Sequence, residues 1–137
     1  RMPGSAVNLS DCNMVLNTAM AKSLKDFADA MEGKQGEDIL VLDVKHLTAI
    51  TDYFVIASGR NNIQVRALAD AVEEEMSRTG EGPRRMEGYL SGRWIVQDYG
   101  GVIVHMFHNE ERAYYNLERL WMDGSNRVAW TPGEDRA

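Results

Sequence analysis

Two short runs of apolar, β-forming residues constrain the fold more than any other feature of the chain. Residues 39–44 read ILVLDV, and residues 53–57 read YFVIA. Nearly continuous apolar runs are typical of strands that are buried on both faces, whereas half-exposed strands alternate apolar and polar residues. We therefore expect both runs to be strands at the centre of a sheet.

Three other segments have the apolar spacing of amphipathic helices, with apolar side chains three or four positions apart. Asn61 and Gln64 have the spacing of a helix N-cap and the third helical residue. Asn109 precedes two glutamates, which are favourable at the positive end of a helix dipole, and is expected to cap the last helix. The three helical segments are residues 13–32, 61–79 and 109–123.

Between the second and third helices, two glycine-containing dipeptides divide the chain into three short apolar segments. Ser91-Gly92 and Gly100-Gly101 are favourable for tight turns between antiparallel strands. The element order is therefore α-β-β-α-β-β-β-α, without an internal repeat or linker. This order predicts an α/β fold built on a single mixed five-stranded sheet flanked by helices. The three segments, residues 86–90, 93–99 and 102–107, are expected to form an antiparallel meander, a set of strands joined in order by tight turns.

The two ends of the chain lack this periodicity. Residues 1–12 are expected to be a disordered or vector-derived N-terminal segment, because the opening residues contain no apolar stretch. The domain is expected to occupy residues 13–123. Residues 124–137 are expected to form a mobile C-terminal tail, with Trp130 as its one anchor.

Composition argues against several classes of protein. The formal net charge of −6 at pH 7 disfavours nucleic-acid binding, because such affinity comes largely from Lys and Arg that displace counterions. No apolar run approaches the roughly 20 residues that span a membrane, so no membrane segment is expected. Cys12 is the only cysteine, which excludes an intramolecular disulfide and favours a reducing, cytoplasmic location.

The sequence contains no pattern typical of a catalytic or metal site. Asp43 and Asp98 are the carboxylates best suited to hold a divalent metal, but each stands alone. Nucleotidyl transfer needs two or more carboxylates that converge on the metal ions. His105 and His108 are three residues apart at a strand end, so their rings point to different faces. We therefore predict no enzyme activity, no catalytic residue, no metal site and no cofactor.

The meander carries a group of aromatic and acidic side chains instead. Trp94, Val96 and Asp98 alternate onto one strand face, and Glu87, Tyr89 and Tyr99 lie nearby in sequence. Aromatic anchors dominate the binding energy of many protein interfaces, so this group suits docking onto a protein partner. Alternation alone leaves open whether Trp94 belongs to an interface or to the core.

Six motifs follow one another within residues 16–123. They are DILVLDV at 38–44, DYFVIASG at 52–59, QVRALAD at 64–70, EG at 87–88 with GRWIVQDYG at 92–100, VHMF at 104–107, and RAYYNLERLW at 112–121. Together they resemble the ribosomal silencing factor family, RsfS, also called Iojap. An ordered set of six motifs is far more specific than any one of them.

The resemblance implies a cytoplasmic translation repressor. Such a protein would bind ribosomal protein number fourteen of the large subunit and sterically block association of the large and small subunits. The family fold is similar to that of nucleotidyltransferases but lacks their catalytic acids. The resemblance also implies a weak homodimer in isolation, and no cofactor.

The resemblance assigns roles to residues by motif position. It implies that the second motif, with Asp52, Tyr53 and Gly59, is mainly structural. Residues 60–62, Arg-Asn-Asn, depart from the smaller residues that the family often has there, which affects the local loop surface. The ribosomal protein-binding residues that it implies are Glu87, Trp94, Asp98 and Tyr99.

Two alternative functions remain open at this point. A divergent nucleotidyltransferase-like enzyme would bind a divalent metal and a nucleoside triphosphate. An RNA-binding ribosome assembly factor would bind naked ribosomal RNA with an affinity that falls steeply with added salt.

Overall fold

Five strands and four helices form the regular structure of residues 18–130, the part of the chain that the computed structural model describes. The expectations for residues 1–12 and for the start of the first helix lie outside this range. In chain order the elements are α1 (Thr18–Glu32), β1 (Glu37–Asp43), β2 (Tyr53–Gly59), α2 (Asn62–Arg78), β3 (Arg85–Glu87), β4 (Trp94–Asp98), β5 (Val102–His108), α3 (Asn109–Tyr115) and α4 (Leu117–Trp121).

The strands form one mixed sheet in the order β1-β2-β5-β4-β3. β2 and β5 are parallel, and the other three pairs of neighbours are antiparallel. The predicted single five-stranded mixed sheet is therefore confirmed. The prediction that both apolar runs lie at the centre is wrong for β1, because β1 is the outermost strand on its side and β5 is central.

β1 is buried although it lies at the sheet edge, because the C-terminal segment runs beside it. The backbone N–H of Val128 donates to the Val41 carbonyl at 2.8 Å, and the N–H of Asp43 donates to the Asn126 carbonyl at 2.9 Å. An edge strand covered in this way has outer backbone groups satisfied, while Leu40, Val41 and Leu42 in its middle are buried against the two faces of the sheet. The apolar run of β1 therefore indicated burial and not position in the sheet.

The helices α1 and α2 pack on one side of the sheet, which we call the helix-covered face. The buried side chains of the helices meet those of the strands there in a continuous apolar core. Burying this much apolar surface is the main favourable contribution to folding. The core comprises Leu24, Phe27, Ala28, Met31, Val41, Tyr53, Val55, Ala57, Val65, Leu68, Ala69, Val72, Met76, Ile95, Val102, Val104 and Met106.

The opposite side of the sheet is covered only in part. A smaller buried cluster from β1, β2 and β5 lies there, with Leu117 and Trp121 of α4 packed against it. The cluster comprises Leu40, Leu42, Val44, Phe54, Ile56 and Phe107.

The N-terminal ends of α2 and α3 show which residues cap these helices, and the sequence predicted a cap for each. Asn61 caps α2 as expected, because its side chain accepts the backbone N–H of Gln64 at 2.8 Å. The cap of α3 is His108 and not Asn109, since His108 Nδ1 accepts the backbone N–H of Glu110 at 3.1 Å. The predicted single helix over residues 109–123 is also interrupted, because Asn116 adopts a left-handed conformation with φ of 49° and separates α3 from α4.

The segment after residue 124 is part of the fold as far as residue 130, although a mobile tail was expected from residue 124 onward. Asn126 is buried, and its side-chain amide donates to the carbonyls of Asp43 at 3.0 Å and Trp121 at 2.7 Å. The indole of Trp130 donates to Asp29 Oδ1 of α1 at 3.2 Å, so Trp130 does anchor the segment. The remainder of the expected tail, residues 131–137, lies outside the described residues.

Candidate protein-docking face

The strip of the sheet along β3, β4 and the start of β5, which the short helices α3 and α4 border at Trp94, is the strongest candidate for a functional surface. We define this open face by Glu87, Trp94, Val96, Asp98 and Ile103. Glu87 is the register partner of Val96, and Asp98 is the partner of Ile103, so these side chains share one face of the sheet. Glu87 is exposed and the other four are half-buried.

Alternation along β4 positions the open face. Ile95 and Gln97 are fully buried on the helix-covered face, where the Gln97 amide donates to the Ala69 carbonyl of α2 at 3.0 Å. With these two residues held inside, Trp94, Val96 and Asp98 must point outward. The turn before β4 needs Gly88, which has φ of 82° and lies so close to β4 that a Cβ would be 2.1 Å from the Trp94 carbonyl oxygen.

Trp94 lies partly in the core and partly at the surface. Its ring stacks on Phe107 with centroids 4.8 Å apart and an interplanar angle of 27°, and it contacts the Tyr115 ring at 4.9 Å. Its indole Nε1 donates to His105 Nδ1 at 3.1 Å. The indole is therefore held on three sides while remaining half-buried, which suits a preformed apolar anchor.

His105 lies beneath this anchor and is only 8% exposed. Its ring contacts Phe54 edge-on, with centroids 5.0 Å apart. Burial lowers the pKa of His105 to about 4, so the imidazole is neutral at physiological pH. Because Nδ1 accepts the indole N–H, the ring proton is assigned to Nε2.

The two carboxylates of the open face differ in their freedom. Glu87 is exposed and pairs loosely with Arg85 on the same strand, with Nη1 and Oε2 3.7 Å apart. Asp98 is half-buried, and its Oδ1 accepts the backbone N–H of Gly100 at 2.8 Å. Asp98 is thus fixed by the turn that follows it, whereas Glu87 can move.

The structure does not bring Tyr99 to the open face. Its ring packs edge-on against Phe27 of α1, with centroids 4.9 Å apart, and its hydroxyl donates to Gln97 Oε1 at 3.0 Å. Burial, with a further contribution from Glu73, raises the pKa of Tyr99. The alternation that places Trp94 and Asp98 together already indicates that the next residue, Tyr99, faces the other side.

Two neighbours of Trp94 were not identified from the sequence. His105 comes next to Trp94 only through the register of β4 and β5, which pairs Trp94 with Phe107 and Val96 with His105. Tyr115 reaches Trp94 from the end of α3, just before the break at Asn116. Only an alignment of the strands could have suggested the first contact, and no local signal indicates the second.

The candidate catalytic carboxylates are far apart. Asp43 shares the helix-covered face with Val41, whereas Asp98 lies on the open face, and two strands separate β1 from β4. At about 4.8 Å per strand the separation across the sheet alone is about 14 Å. Asp43 Oδ1 accepts the backbone N–H of Lys45 at 3.0 Å, so this carboxylate is used by the turn after β1. Within residues 18–130 no group of three or more His, Cys, Asp or Glu side chains could hold a metal ion.

A polar pocket of about 420 Å³ lies where the ends of β1 and β2 meet α3 and α4. The Arg112 side chain, 11% exposed, donates to Glu118 Oε2 at 3.1 Å and to Ser58 Oγ at 3.0 Å. These bonds hold the two short helices against the sheet. The pocket is lined by Glu37, Asp38, Ser58, Asn109, Arg112, Ala113, Asn116 and Glu118, none of which belongs to the open face.

The fold and the open face together define a class: a small α/β protein with one mixed sheet, two long helices on one side, and on the other side two short helices beside an aromatic and acidic strip. None of the helices in residues 18–130 is long and apolar enough to cross a membrane. Residues 17–136 match the family model described as "Ribosomal silencing factor during starvation". The chain therefore belongs to the ribosomal silencing factor family, as its motifs predicted. The match extends beyond residue 123, where the predicted resemblance ended.

Relatives and solved structures agree with this assignment. The ribosomal silencing factor RsfS of Bacillus subtilis is 43% identical over 100 residues, which cover 73% of this chain and 85% of that protein. The chloroplastic protein Iojap of Zea mays is 32% identical over 98 residues, covering 69% of this chain and 41% of that protein. A solved structure from Chromobacterium violaceum superposes with a TM-score of 0.73 at 32% identity, covering 85% of this chain and 98% of that one. A structure from Bacillus halodurans has a TM-score of 0.70 at 36% identity, with coverage of 80% and 98%.

Proposed function

We propose that this chain is a translation repressor that docks through its open face onto ribosomal protein number fourteen of the large subunit. Bound there, it would sterically block association with the small subunit. The observation that carries the proposal is that Trp94, although held on three sides by His105, Phe107 and Tyr115, remains partly exposed on the sheet face away from α1 and α2. Membership of the ribosomal silencing factor family supports the ribosome as the target.

Charge also favours a protein surface on the ribosome. The chain carries a formal net charge of −6, and Glu87 and Asp98 lie on the same face as the aromatic anchor, farther along β3 and β4. Ribosomal proteins are generally basic, so Lys or Arg of the partner can meet these carboxylates, whereas RNA phosphates would be repelled. We therefore propose direct binding to protein and not to RNA.

We propose that repression needs no catalysis, cofactor or metal. The separation of Asp43 from Asp98, on opposite faces of the sheet, supports this proposal. None of the relatives' names given above is that of an enzyme. Binding alone is sufficient, because a protein seated on the subunit interface excludes the other subunit by its volume. The corresponding location is the cytoplasm, where ribosomes work.

We also propose a weak homodimer in the absence of ribosomes, as the family resemblance implies. Large apolar side chains at the surface support it: Ile63 is 74% exposed and Leu90 is 90% exposed. Exposed apolar side chains favour self-association at high concentration. Sedimentation equilibrium should show a rising average mass at high micromolar concentration, and a strictly monomeric mass would contradict this part of the proposal.

The docking proposal is tested with purified large subunits, by pelleting for affinity and by light scattering for subunit joining. Trp94→Ala removes the anchor, and Asp98→Lys places a cation opposite a basic partner. Each should weaken binding and repression by tens of fold, since truncating a central aromatic residue usually costs about 2 kcal/mol or more. Glu74→Lys is the matched control, because it makes the same charge change at an exposed position of α2.

Circular dichroism must first show that each variant is folded, since Trp94 also packs on Phe107. If folded Trp94→Ala and Asp98→Lys proteins both bind and block joining at parental concentrations, the docking face is misplaced. The acidic surface of α2 at residues 73–75 then becomes the next candidate, and Glu74→Lys would be the variant that loses binding. Binding of naked ribosomal RNA that falls steeply with salt would favour the assembly-factor alternative, and magnesium-dependent binding of a nucleoside triphosphate would favour the enzyme.

A further inference from the structure

The indole N–H of Trp94 is already used inside the protein. Its Nε1 donates to His105 Nδ1 at 3.1 Å, while the ring stacks on Phe107 and contacts Tyr115. Trp94 is half-buried, so this hydrogen bond and the two ring contacts together fix the orientation of the part of the indole that reaches the surface.

His105 is an unusual choice for its own position. It is 8% exposed and surrounded by aromatic side chains, and within residues 18–130 its buried Nε2 has no hydrogen-bond partner. A buried donor without a partner is destabilising, so an aliphatic residue would suit the packing better. The one thing that histidine supplies and an aliphatic residue cannot is the acceptor for the Trp94 indole.

We propose that His105 is a positioning residue for docking: by accepting the indole N–H, it fixes the Trp94 ring across β5 in the orientation that the partner recognises. This inference rests on the proposed function, since it concerns the same face. It also specifies the chemistry of recognition. The partner meets Trp94 as a fixed apolar surface and not as a hydrogen-bond donor, because the donor is occupied. Preorganising an anchor in this way lowers the entropy lost on binding.

A double-mutant cycle tests the proposal on the full chain, with purified large subunits as the binding partner. His105→Leu removes the acceptor and suits the surrounding apolar side chains. Trp94→Phe removes the donor and keeps an aromatic ring. We expect His105→Leu to weaken binding about tenfold when Trp94 is present, and less than about twofold in the Trp94→Phe background. A residue whose effect on binding does not pass through Trp94 would have the same effect in both backgrounds.

The same variants make an opposite prediction for stability. Because His105→Leu removes an unpaired buried donor, its urea midpoint should equal or exceed that of the parent, while its affinity falls. Binding that falls only in proportion to lost stability would contradict the positioning role. His105→Asn provides the rescue, since asparagine Oδ1 can replace Nδ1 as the acceptor, and its affinity should be within about threefold of the parent.

Nuclear magnetic resonance of indole-labelled protein reports directly on the hydrogen bond. The Trp94 Nε1 proton should exchange slowly in the parent and at least tenfold faster in His105→Leu, with Trp121 and Trp130 as internal references. Unchanged exchange of the Trp94 proton in His105→Leu would overturn the positioning role. So would parental affinity of His105→Leu for large subunits when Trp94→Ala has lost affinity. In both cases the docking face is retained. If Trp94→Ala itself binds normally, the docking face and the positioning role both fail.

Discussion

The two faces of the sheet differ in what their side chains are suited to do. On the helix-covered face, the buried strand residues are apolar except for Gln97, whose amide is bonded to the Ala69 carbonyl. The other face places His105 under a tryptophan and leaves two carboxylates beside it. The same strands build both faces, so the difference comes from the side chains and not from the backbone.

This difference teaches where stability and recognition are located. The helix-covered face satisfies every requirement of a core, with close packing and a paired polar group. The side of the sheet that carries the open face departs from those requirements at His105, whose Nε2 is buried without a partner among the described residues. Departures of this kind are expected where function, and not stability, has determined the residue. The predictions below separate the two properties, beginning with the largest expected effect.

The largest effect is expected on the helix-covered face. Leu68 of α2 is fully buried, so Leu68→Ala should lower the free energy of unfolding by about 4 kcal/mol, through lost burial and the cavity that remains. Urea unfolding measures the loss. The folded protein should still bind large subunits with parental affinity, because Leu68 does not contribute to the open face. A loss of affinity in protein shown to be folded would break the separation of the two faces.

The second effect concerns pH and arises on the partly covered side. Burial lowers the pKa of His105 from 6.5 to about 4, so the unfolded chain binds the proton more readily than the folded chain. The neutral histidine's contribution is therefore fully present above about pH 6.5 and is lost as pH falls toward 4. The folded and unfolded pKa values differ by about 2.5, which corresponds to about 3 kcal/mol in the free energy of unfolding over the whole titration. Between pH 7 and pH 5 the loss is about 2 kcal/mol.

Carboxylates also titrate in this range, so the measurement is a comparison between parent and His105→Leu. Urea unfolding at both pH values should show that the parent loses about 2 kcal/mol more than the variant between pH 7 and 5. Equal losses would mean that His105 is not buried in its neutral form. The packing of the imidazole beneath Trp94 would then need revision.

Sequence patterns within a few residues, such as alternation along a strand and the spacing of a helix cap, predicted the features that neighbouring residues determine. Alternation over residues 94–98 placed Trp94 and Asp98 on one face, and Asn61 caps α2 as its spacing indicated. The same alternation rule excludes Tyr99 from that face. Motif position alone had grouped Tyr99 with the contact residues, and the strand period separates it from them.

The features that local patterns missed depend on contacts between distant residues. The edge position of β1 is hidden by the segment around Asn126, whose side chain bonds the Asp43 carbonyl from 83 residues away. The helix break at Asn116 needs a left-handed residue, which asparagine tolerates but does not require. The bond between Trp94 and His105 follows from strand register, and an apolar run or an isolated histidine contains no information about register.

A smaller effect distinguishes Tyr99 from the docking residues. Tyr99→Phe removes the hydroxyl that donates to Gln97 Oε1 and keeps the ring against Phe27. The free energy of unfolding should fall by about 1 kcal/mol, because Gln97 loses one partner inside the fold. Binding to large subunits, measured by pelleting, should remain at the parental value. If Tyr99→Phe remains folded but binds large subunits at least tenfold more weakly, Tyr99 contacts the partner after all.

The smallest effect is expected at the rim of the open face. Glu87 is exposed, and its ion pair with Arg85 spans 3.7 Å, so Glu87→Gln should change the free energy of unfolding by less than about 0.5 kcal/mol. A rim charge acts mainly on the association rate, because it attracts a basic partner over a distance that salt screens. Stopped-flow binding at low salt should therefore show association slowed about two- to threefold, with an unchanged dissociation rate. The difference should disappear at high salt, and Glu74→Gln on α2 should show a smaller effect at either salt concentration. A faster dissociation rate that persists at high salt would mean that Glu87 is a central contact, and the centre of the docking face would shift from Trp94 toward β3.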